Sequence, residues 1–284
     1  MGTLLGLVSS LLWGTSDFLG GTASRRLSPL GVVAASEAFG LLGVLVAAVL
    51  TGAFGAPSGY VGWALLAGAA GTAGILAFYE ALATGTMGVV APIAALGVIV
   101  PVVAGIGQGD RPNLLQGAGV LVAVLGVVLA SGPELRSTEQ STRAAARPLI
   151  LAVVAAIGFG VVFVAVDHGA ETSTIMTLVV MRAAALLLLV AIGAFAGSHQ
   201  LKVGVRDLPL MAVIGGLDVS ANATFAYATR HGLLSLVSVL SSLYPALTVI
   251  LARAVHAERL RGVQLTGVVA ALCGVVLIAS AGAG

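Results

Sequence analysis

The sequence has few charged residues. Asp, Glu, Lys and Arg together make up 8% of its 284 residues, whereas 59% are hydrophobic. Soluble domains are usually about one quarter charged. A soluble fold built from this chain would lack polar side chains to cover its surface, so the composition favours a protein that is embedded in a lipid bilayer.

Other absences exclude whole classes of function. The single cysteine, Cys273, cannot form an intramolecular disulfide and has no metal-ligand spacing around it, so it is interpreted as core filler. No G-x-x-x-x-G-K-[ST] loop is present, which disfavours ATP-driven transport. No basic cluster with interleaved aromatic residues suggests a nucleic-acid partner. The sequence predicts neither a cofactor nor a metal.

Long apolar segments fill nearly the whole chain. A membrane-spanning helix needs about 20 such residues, and these runs lack the period-two alternation of a membrane barrel. We therefore predict an all-α membrane protein with ten transmembrane helices. They cover about 3–22, 30–50, 61–82, 86–107, 114–131, 148–167, 174–196, 208–229, 233–254 and 263–281. Only residues 83–88 separate the third and fourth segments, so nine helices is the main alternative.

The chain also contains an internal repeat. Residues 119–129 (GVLVAVLGVVL) match 267–277 (GVVAALCGVVL), residues 78–85 resemble 225–232, and Trp13-Gly14 corresponds to Phe159-Gly160. The offset is about 147 residues throughout. We predict two five-helix repeats, over 1–131 and 148–284, joined by a polar linker at 132–147. Because five is odd, the second half enters from the opposite side, which gives the inverted repeat common in secondary transporters.

Basic residues predict the orientation. If the chain crosses ten times, ten of its thirteen Lys and Arg residues fall on the side opposite the amino terminus. Only Arg111 and Arg230 share the amino-terminal side, and Arg182 lies within a helix. Positive residues favour the cytoplasm, so both termini are predicted to be external, in a membrane that we take to be a bacterial plasma membrane.

Several motifs, in order along nearly the whole chain, suggest a family. LLWGTSDF at 11–18, MRAAALLLL at 181–189 and LSSLYPALTVILA at 240–252 resemble segments of the EamA family in the drug/metabolite transporter superfamily, as does the spacing of Gln264 and Gly267. This resemblance implies ten helices, an inverted repeat, and movement of small metabolites or drugs. It supplies no shared catalytic residue.

Ionisable residues within apolar helices are costly and therefore mark candidate sites. Asp218 is the strongest candidate, because Asn222 lies one turn later on the same face and Gly215 and Gly216 permit close approach. It could bind a proton or a cationic group, or form a structural pair with Arg182.

Asp17 and Glu37 are expected at similar depth in the first two helices. Facing each other, they would share a proton; apart, they would be separate polar sites. Arg182 occupies the repeat position of Glu37, and it is either a counter-ion for Glu37 or Asp218 or a clamp for a substrate carboxylate. Glu80, near a helix end, is interpreted as an interfacial carboxylate.

Prolines and aromatic residues complete the candidate set. Pro92, Pro101 and Pro245 lie inside the repeat-related fourth and ninth helices, where each removes a backbone hydrogen bond and forms either a hinge or a static kink. Ser241 and Tyr244 could add hydrogen bonds to a cavity. Trp13 and Tyr79 could stack on a substrate, although plain helix packing explains them equally well.

Together these features predict a secondary active transporter that moves a small metabolite or drug-like molecule by alternating access, as an exporter or exchanger. Proton coupling is compatible with the buried carboxylates, and a homodimer is compatible with the sequence but not required by it. An intramembrane enzyme or a structural membrane protein are the alternatives. The four histidines lie at helix ends or in loops, away from any midmembrane nucleophile.

Overall fold

The structure is a computed structural model that describes residues 1–85, 87–131, 142–256 and 262–280. Every regular element in these ranges is helical, which confirms the predicted all-α class. The α-helices are α1 (Gly2–Ser24), α2 (Pro29–Thr51), α3 (Val61–Thr84), α4 (Met87–Ala95), α5 (Ile99–Gly107), α6 (Leu114–Ser131), α7 (Thr142–Ala196), α8 (Leu208–Thr229), α9 (Leu234–Ser241), α10 (Tyr244–His256) and α11 (Gly262–Ser280).

Within the described residues, five helical stretches are long and apolar enough to cross a membrane by length and composition. They are Pro29–Thr51, Ser58–Thr84, Arg147–Ala196, His199–Thr229 and Leu234–Val255. Large hydrophobic side chains such as Leu50 and Leu187 are exposed on the outside of the bundle. In water such surfaces would promote aggregation, whereas in lipid they are well solvated. The chain is an integral membrane protein.

Helix α7 bends sharply at Ser173, where the sequence predicted a break between two helices. Ser173 has extended backbone angles (φ −161°, ψ 108°). Its Oγ accepts a hydrogen bond from the backbone N–H of Met176 at 3.3 Å, which is the contact of a helix N-cap. A new helical segment therefore starts at this serine without an intervening loop.

Two predicted helices are broken instead of continuous. The chain changes to a 3₁₀ turn at Leu96–Val98 between α4 and α5, and α9 ends at Ser241 before α10 begins at Tyr244. The cause is proline. Pro101 and Pro245 lack the N–H that would bond to the carbonyls four residues earlier, at Gly97 and Ser241, so each helix loosens there. By contrast, α4 continues through Pro92.

The two halves make equivalent close contacts. A Cβ added to Gly68 of α3 would lie 2.7 Å from the carbonyl oxygen of Met181 in α7. A Cβ added to Gly215 of α8 would lie 2.1 Å from the carbonyl oxygen of Ser36 in α2. Gly215 and Met181 are the repeat counterparts of Gly68 and Ser36. Each half therefore offers a glycine to the backbone of the other half at matching positions.

A second pair of equivalent glycine–backbone contacts lies at the breaks in the helices. A Cβ on Gly14 of α1 would lie 2.6 Å from the Tyr244 carbonyl oxygen, and a Cβ on Gly160 of α7 would lie 2.5 Å from the Gly97 carbonyl oxygen. Helix–helix contacts this close need glycine. The proline-induced breaks thus pack on the first helix of each half, α1 and the part of α7 before Ser173.

Further helix pairs also pack along each other. α3 packs along α7, α1 along α8, and α6 mainly against α11. α3 and α4 are separate helices, as predicted, with only a short connection after Thr84. Part of the linker predicted at 132–147 lies outside the described residues, and the chain is helical from Thr142 onward.

Candidate substrate cavity

A cavity of about 80 Å³ lies among the helices of both halves. α1, α2, α3, both arms of α7, α8 and α10 contribute to its walls. The lining residues are Trp13, Asp17, Glu37, Ala67, Gly68, Gly71, Thr72, Ile75, Phe159, Val162, Phe163, Met181, Arg182, Ala185, Asp218, Asn222 and Tyr244. One water needs about 10–15 Å³ of such space, so several waters or one small organic molecule can enter.

Arg182 bridges two acidic residues at this cavity. Its Nη1 donates to Glu37 Oε1 at 2.7 Å, and its Nη2 donates to Asp218 Oδ2. The Arg182 side chain is only 3% exposed. A planar guanidinium can serve two carboxylates at once, whereas a lysine ammonium acts as a point charge. The structure contains both ion pairs that the sequence offered as alternatives, and the Glu37 pair joins the two halves.

Asp218 accepts hydrogen bonds from two further side chains. Trp13 Nε1 donates to Asp218 Oδ1 at 2.9 Å. Asn222 Nδ2 donates to the Asp218 carbonyl at 2.9 Å and approaches Oδ2 at 3.4 Å. The predicted one-turn spacing of Asp218 and Asn222 is therefore realised, and Trp13 provides a direct polar link from α1 to α8.

Asp17 lines the same cavity and is 5% exposed. The sequence offered a carboxylate pair of Asp17 and Glu37 as one of two interpretations. Glu37 instead pairs with Arg182, and the carboxylate that interacts electrostatically with Asp17 is Asp218. Both Asp17 and Glu37 do line one cavity. Helix depth alone could not predict which carboxylates face each other, because it leaves the rotation of each helix open.

Three buried polar atoms of cavity-lining residues have no hydrogen-bond partner within the described part of the chain. They are Glu37 Oε2, Arg182 Nε and the Tyr244 hydroxyl. The Tyr244 side chain is 4% exposed. Unsatisfied buried polar groups are uncommon in native proteins and call for a partner such as water or a ligand.

Other candidates are not among the residues that line the cavity. The Tyr79 ring packs so closely on α1 that a Cβ on Gly20 would lie 2.1 Å from it. Ser241 Oγ donates to the Gly6 carbonyl at 3.3 Å and is fully buried. Glu80 pairs with Arg147 at 2.9 Å, as an interfacial carboxylate should. Neither Tyr79 nor Ser241 lines the described cavity, and their binding roles stay predictions.

Comparison with known proteins gives the family. Residues 1–132 and 146–280 each match the EamA-like transporter family, so the matches include most of the chain. The chain belongs to the EamA-like transporter family. A search of curated proteins returned no match. One solved structure, titled only "Crystal structure of protein", shares the fold with a TM-score of 0.74 at 20% identity, over 97% of this chain and 95% of that one.

Membership of the EamA-like transporter family confirms the resemblance found in the sequence. It implies that the protein transports small molecules across a membrane and that it is not an enzyme. The two matched stretches indicate duplicated halves. Family membership does not define a substrate, so the chemistry of the cavity has to be derived from this chain's own residues.

The residues that line the cavity of this EamA-like transporter fall into two unlike groups. The group from α1, α2 and α8, called the acidic wall, is Trp13, Asp17, Glu37, Asp218 and Asn222; the group from α3 and the part of α7 before Ser173, called the apolar wall, is Gly71, Ile75, Phe159, Val162 and Phe163. Under the repeat, the polar residues Asp17, Asp218 and Asn222 correspond to Phe163, Gly71 and Ile75, in that order. Sequence reasoning missed this apolar wall, although the correspondence of Trp13 with Phe159 was a signal that could have revealed it.

Proposed function

We propose that the protein is a secondary transporter whose chain crosses the membrane ten times as two inverted five-helix halves. The Arg147–Ala196 stretch has 50 residues. At 1.5 Å per residue it would extend to roughly 75 Å, more than twice the hydrocarbon thickness, so its bend at Ser173 supports two crossings. The broken pairs α4/α5 and α9/α10 each supply one crossing, and the other six α-helices supply one each.

The matched glycine contacts support the inversion. Gly68 meets the Met181 backbone as Gly215 meets that of Ser36. Such an exchange of contacts between halves is what a two-fold axis in the membrane plane would produce, with the substrate site at the repeat interface.

The observation that carries the proposed function is a buried, charged cavity built from both halves. Substrate binds in this cavity, and rocking of the halves opens it to one side and then to the other. The substrate is a small metabolite or drug-like molecule, and the direction is export or exchange. A purely structural protein would have no use for Asp17, Glu37, Arg182 and Asp218 at a repeat interface, because ionised groups in the membrane are costly.

The charge balance supports coupling to protons. If all were ionised, Asp17, Glu37 and Asp218 would outnumber Arg182 by two negative charges. Uncompensated buried charges are strongly unfavourable. A proton or a cationic substrate group would restore the balance, which gives a physical basis for exchange of one against the other.

Access to the cavity from each side tests the proposed function without knowledge of the substrate. Ile75 lines the cavity. Cys273 is exposed, so its interpretation as core filler was wrong, and Ile75→Cys is introduced in a Cys273→Ser background. A membrane-impermeant maleimide is applied to right-side-out and to inverted vesicles. We expect labelling from both sides. Labelling from one side only would contradict alternating access, and Ala81→Cys, fully buried on the same helix, is the control that stays unlabelled.

A further inference from the structure

The cavity has an acidic wall that already contains its own cation. Arg182 uses both terminal amino groups on Glu37 and Asp218. Asp17, which neighbours Asp218, adds a third carboxylate to this wall. An anionic ligand would have to displace these carboxylates from the guanidinium and then lie among them. Like-charge juxtaposition of this kind is a strong barrier to binding.

The unpartnered atoms at the cavity are suited to a hydrogen-bond donor. Glu37 Oε2 can only accept when ionised, and the buried Tyr244 hydroxyl can also accept. The third unpartnered atom, Arg182 Nε, lies beside Gly40 at the contact of α2 with α8. A ligand ammonium would satisfy the two acceptors that are left free.

Aromatic rings frame the same space. Trp13, Phe159, Phe163 and Tyr244 all line the cavity. Trp13 and Phe163 lie with ring centroids 5.4 Å apart. Faces of aromatic rings attract ammonium groups, and the attraction is stronger when the site is desolvated. The apolar wall of Ile75, Val162 and the phenylalanines would cover the uncharged part of a ligand.

From these walls we infer that the substrate is an amphipathic monovalent organic amine, with its ammonium between Asp17, Glu37 and Asp218 and an aryl or branched alkyl body on the Phe159–Phe163 wall. This inference rests on the proposed function, because it takes the cavity as the substrate site. The cavity is small, which favours a body of about one aromatic ring with a short chain.

Four probes of related shape test this inference on the purified full-length protein. They are 2-phenylethylamine (cation with a ring), methylamine (cation without a ring), 2-phenylethanol (neutral) and phenylacetate (anion). Binding is followed by the fluorescence of Trp13 in a Trp63→Phe background, since Trp63 is the other tryptophan and lies outside the cavity. We expect 2-phenylethylamine to bind at least about tenfold more tightly than each of the other three.

Matched variants test the two proposed contacts, that of the ammonium with Asp17 and that of the ring with Phe159. Asp17→Asn should weaken the binding of 2-phenylethylamine by roughly tenfold or more. Glu171→Gln, which neutralises a carboxylate that is 57% exposed, should not weaken it. Phe159→Leu should weaken 2-phenylethylamine but leave methylamine unchanged.

Three results would overturn the inference. They are equal or tighter binding of phenylacetate or 2-phenylethanol, no binding of any probe, or unchanged selectivity in both Asp17→Asn and Asp218→Asn. The labelling of Ile75→Cys needs no ligand, so two-sided labelling together with any of these results would leave the proposed function standing and remove only the substrate class.

Discussion

Arg182 of α7 holds Glu37 of α2 at 2.7 Å, across the boundary between the two halves. The same guanidinium also donates to Asp218 of α8. One buried cation thus ties together three helices and two carboxylates. Breaking such an arrangement by removing one partner leaves the others buried and unpaired, which costs about 3–5 kcal/mol in soluble proteins.

We therefore expect Arg182→Leu to lower the thermal unfolding temperature of the detergent-purified protein strongly. Arg147→Leu is the matched control, because the Arg147–Glu80 pair is 68% and 32% exposed and should contribute about 1 kcal/mol or less. A scanning measurement of aggregation or tryptophan fluorescence compares the two. Equal decreases in unfolding temperature in both variants would show that the buried ion pairs of Arg182 contribute no more to stability than the exposed Arg147–Glu80 pair.

The crossing of α2 and α8 gives a second prediction. A Cβ on Gly215 would lie 2.1 Å from the Ser36 carbonyl oxygen and 2.9 Å from the Gly40 amide nitrogen, while a Cβ on Gly216 would meet nothing within 4 Å. Gly215→Ala should therefore separate the helices and reduce stability by about 1–3 kcal/mol or more. Gly216→Ala should change little. The two variants are compared by thermal unfolding, and similar values would contradict the close crossing.

Much of the fold could be predicted from the sequence, because hydropathy determines where helices run in a bilayer. The separation of α3 from α4 was predicted correctly. The breaks before Pro101 and Pro245 were anticipated as a hinge or a static kink and not as helix ends, since a missing hydrogen bond does not specify whether a helix bends or ends. The bend at Ser173 replaces a predicted loop, because a serine cap can start a helix without intervening residues.

The candidate site was predictable in part for a similar reason. Charged residues stand out in apolar helices, so Asp17, Glu37, Arg182 and Asp218 could be named from the sequence. Their pairing depends on how each helix is rotated, which hydropathy leaves open. Phe163 was not found, because a phenylalanine in an apolar helix carries no signal of whether it faces lipid, core or cavity.

The two proline-dependent breaks lead to a third prediction. Pro245→Ala restores an N–H that can bond to the Ser241 carbonyl and join α9 to α10. If the break is a hinge, substrate exchange in proteoliposomes should slow several-fold while ligand affinity stays the same. Pro209→Ala is the control, because Pro209 lies in the first turn of α8, where proline removes no helical hydrogen bond. An unchanged exchange rate in Pro245→Ala would identify a static kink.

Topology provides a fourth prediction. The ten crossings proposed above would place both termini on one side, and the excess of Lys and Arg on the opposite side predicts that the terminal side is external. A single-cysteine tag added after Gly284 in the Cys273→Ser background should react with an impermeant maleimide in intact cells. A cysteine at Ser137, in the predicted linker, should react only after the membrane is opened. Reaction of the tag only in opened cells would refute the orientation.

Exchange of a proton for the substrate is the fifth prediction. The titratable and charged groups at or beside the cavity are Asp17 of α1, Glu37 of α2, Tyr79 of α3, Arg182 of α7, Asp218 of α8 and Tyr244 of α10. With two negative charges in excess when all three carboxylates are ionised, the empty cavity should hold a proton that an arriving ammonium displaces.

Adding 2-phenylethylamine to the weakly buffered protein should therefore release protons, and its affinity should rise from one pH unit below neutral to one above. A pH indicator and a binding titration measure the two effects. Asp17→Asn should release fewer protons and flatten the pH dependence, whereas Glu171→Gln should behave like the unmodified chain. Binding without proton release, at an affinity that does not change with pH, would show that substrate binding does not displace a proton and would contradict proton-coupled exchange.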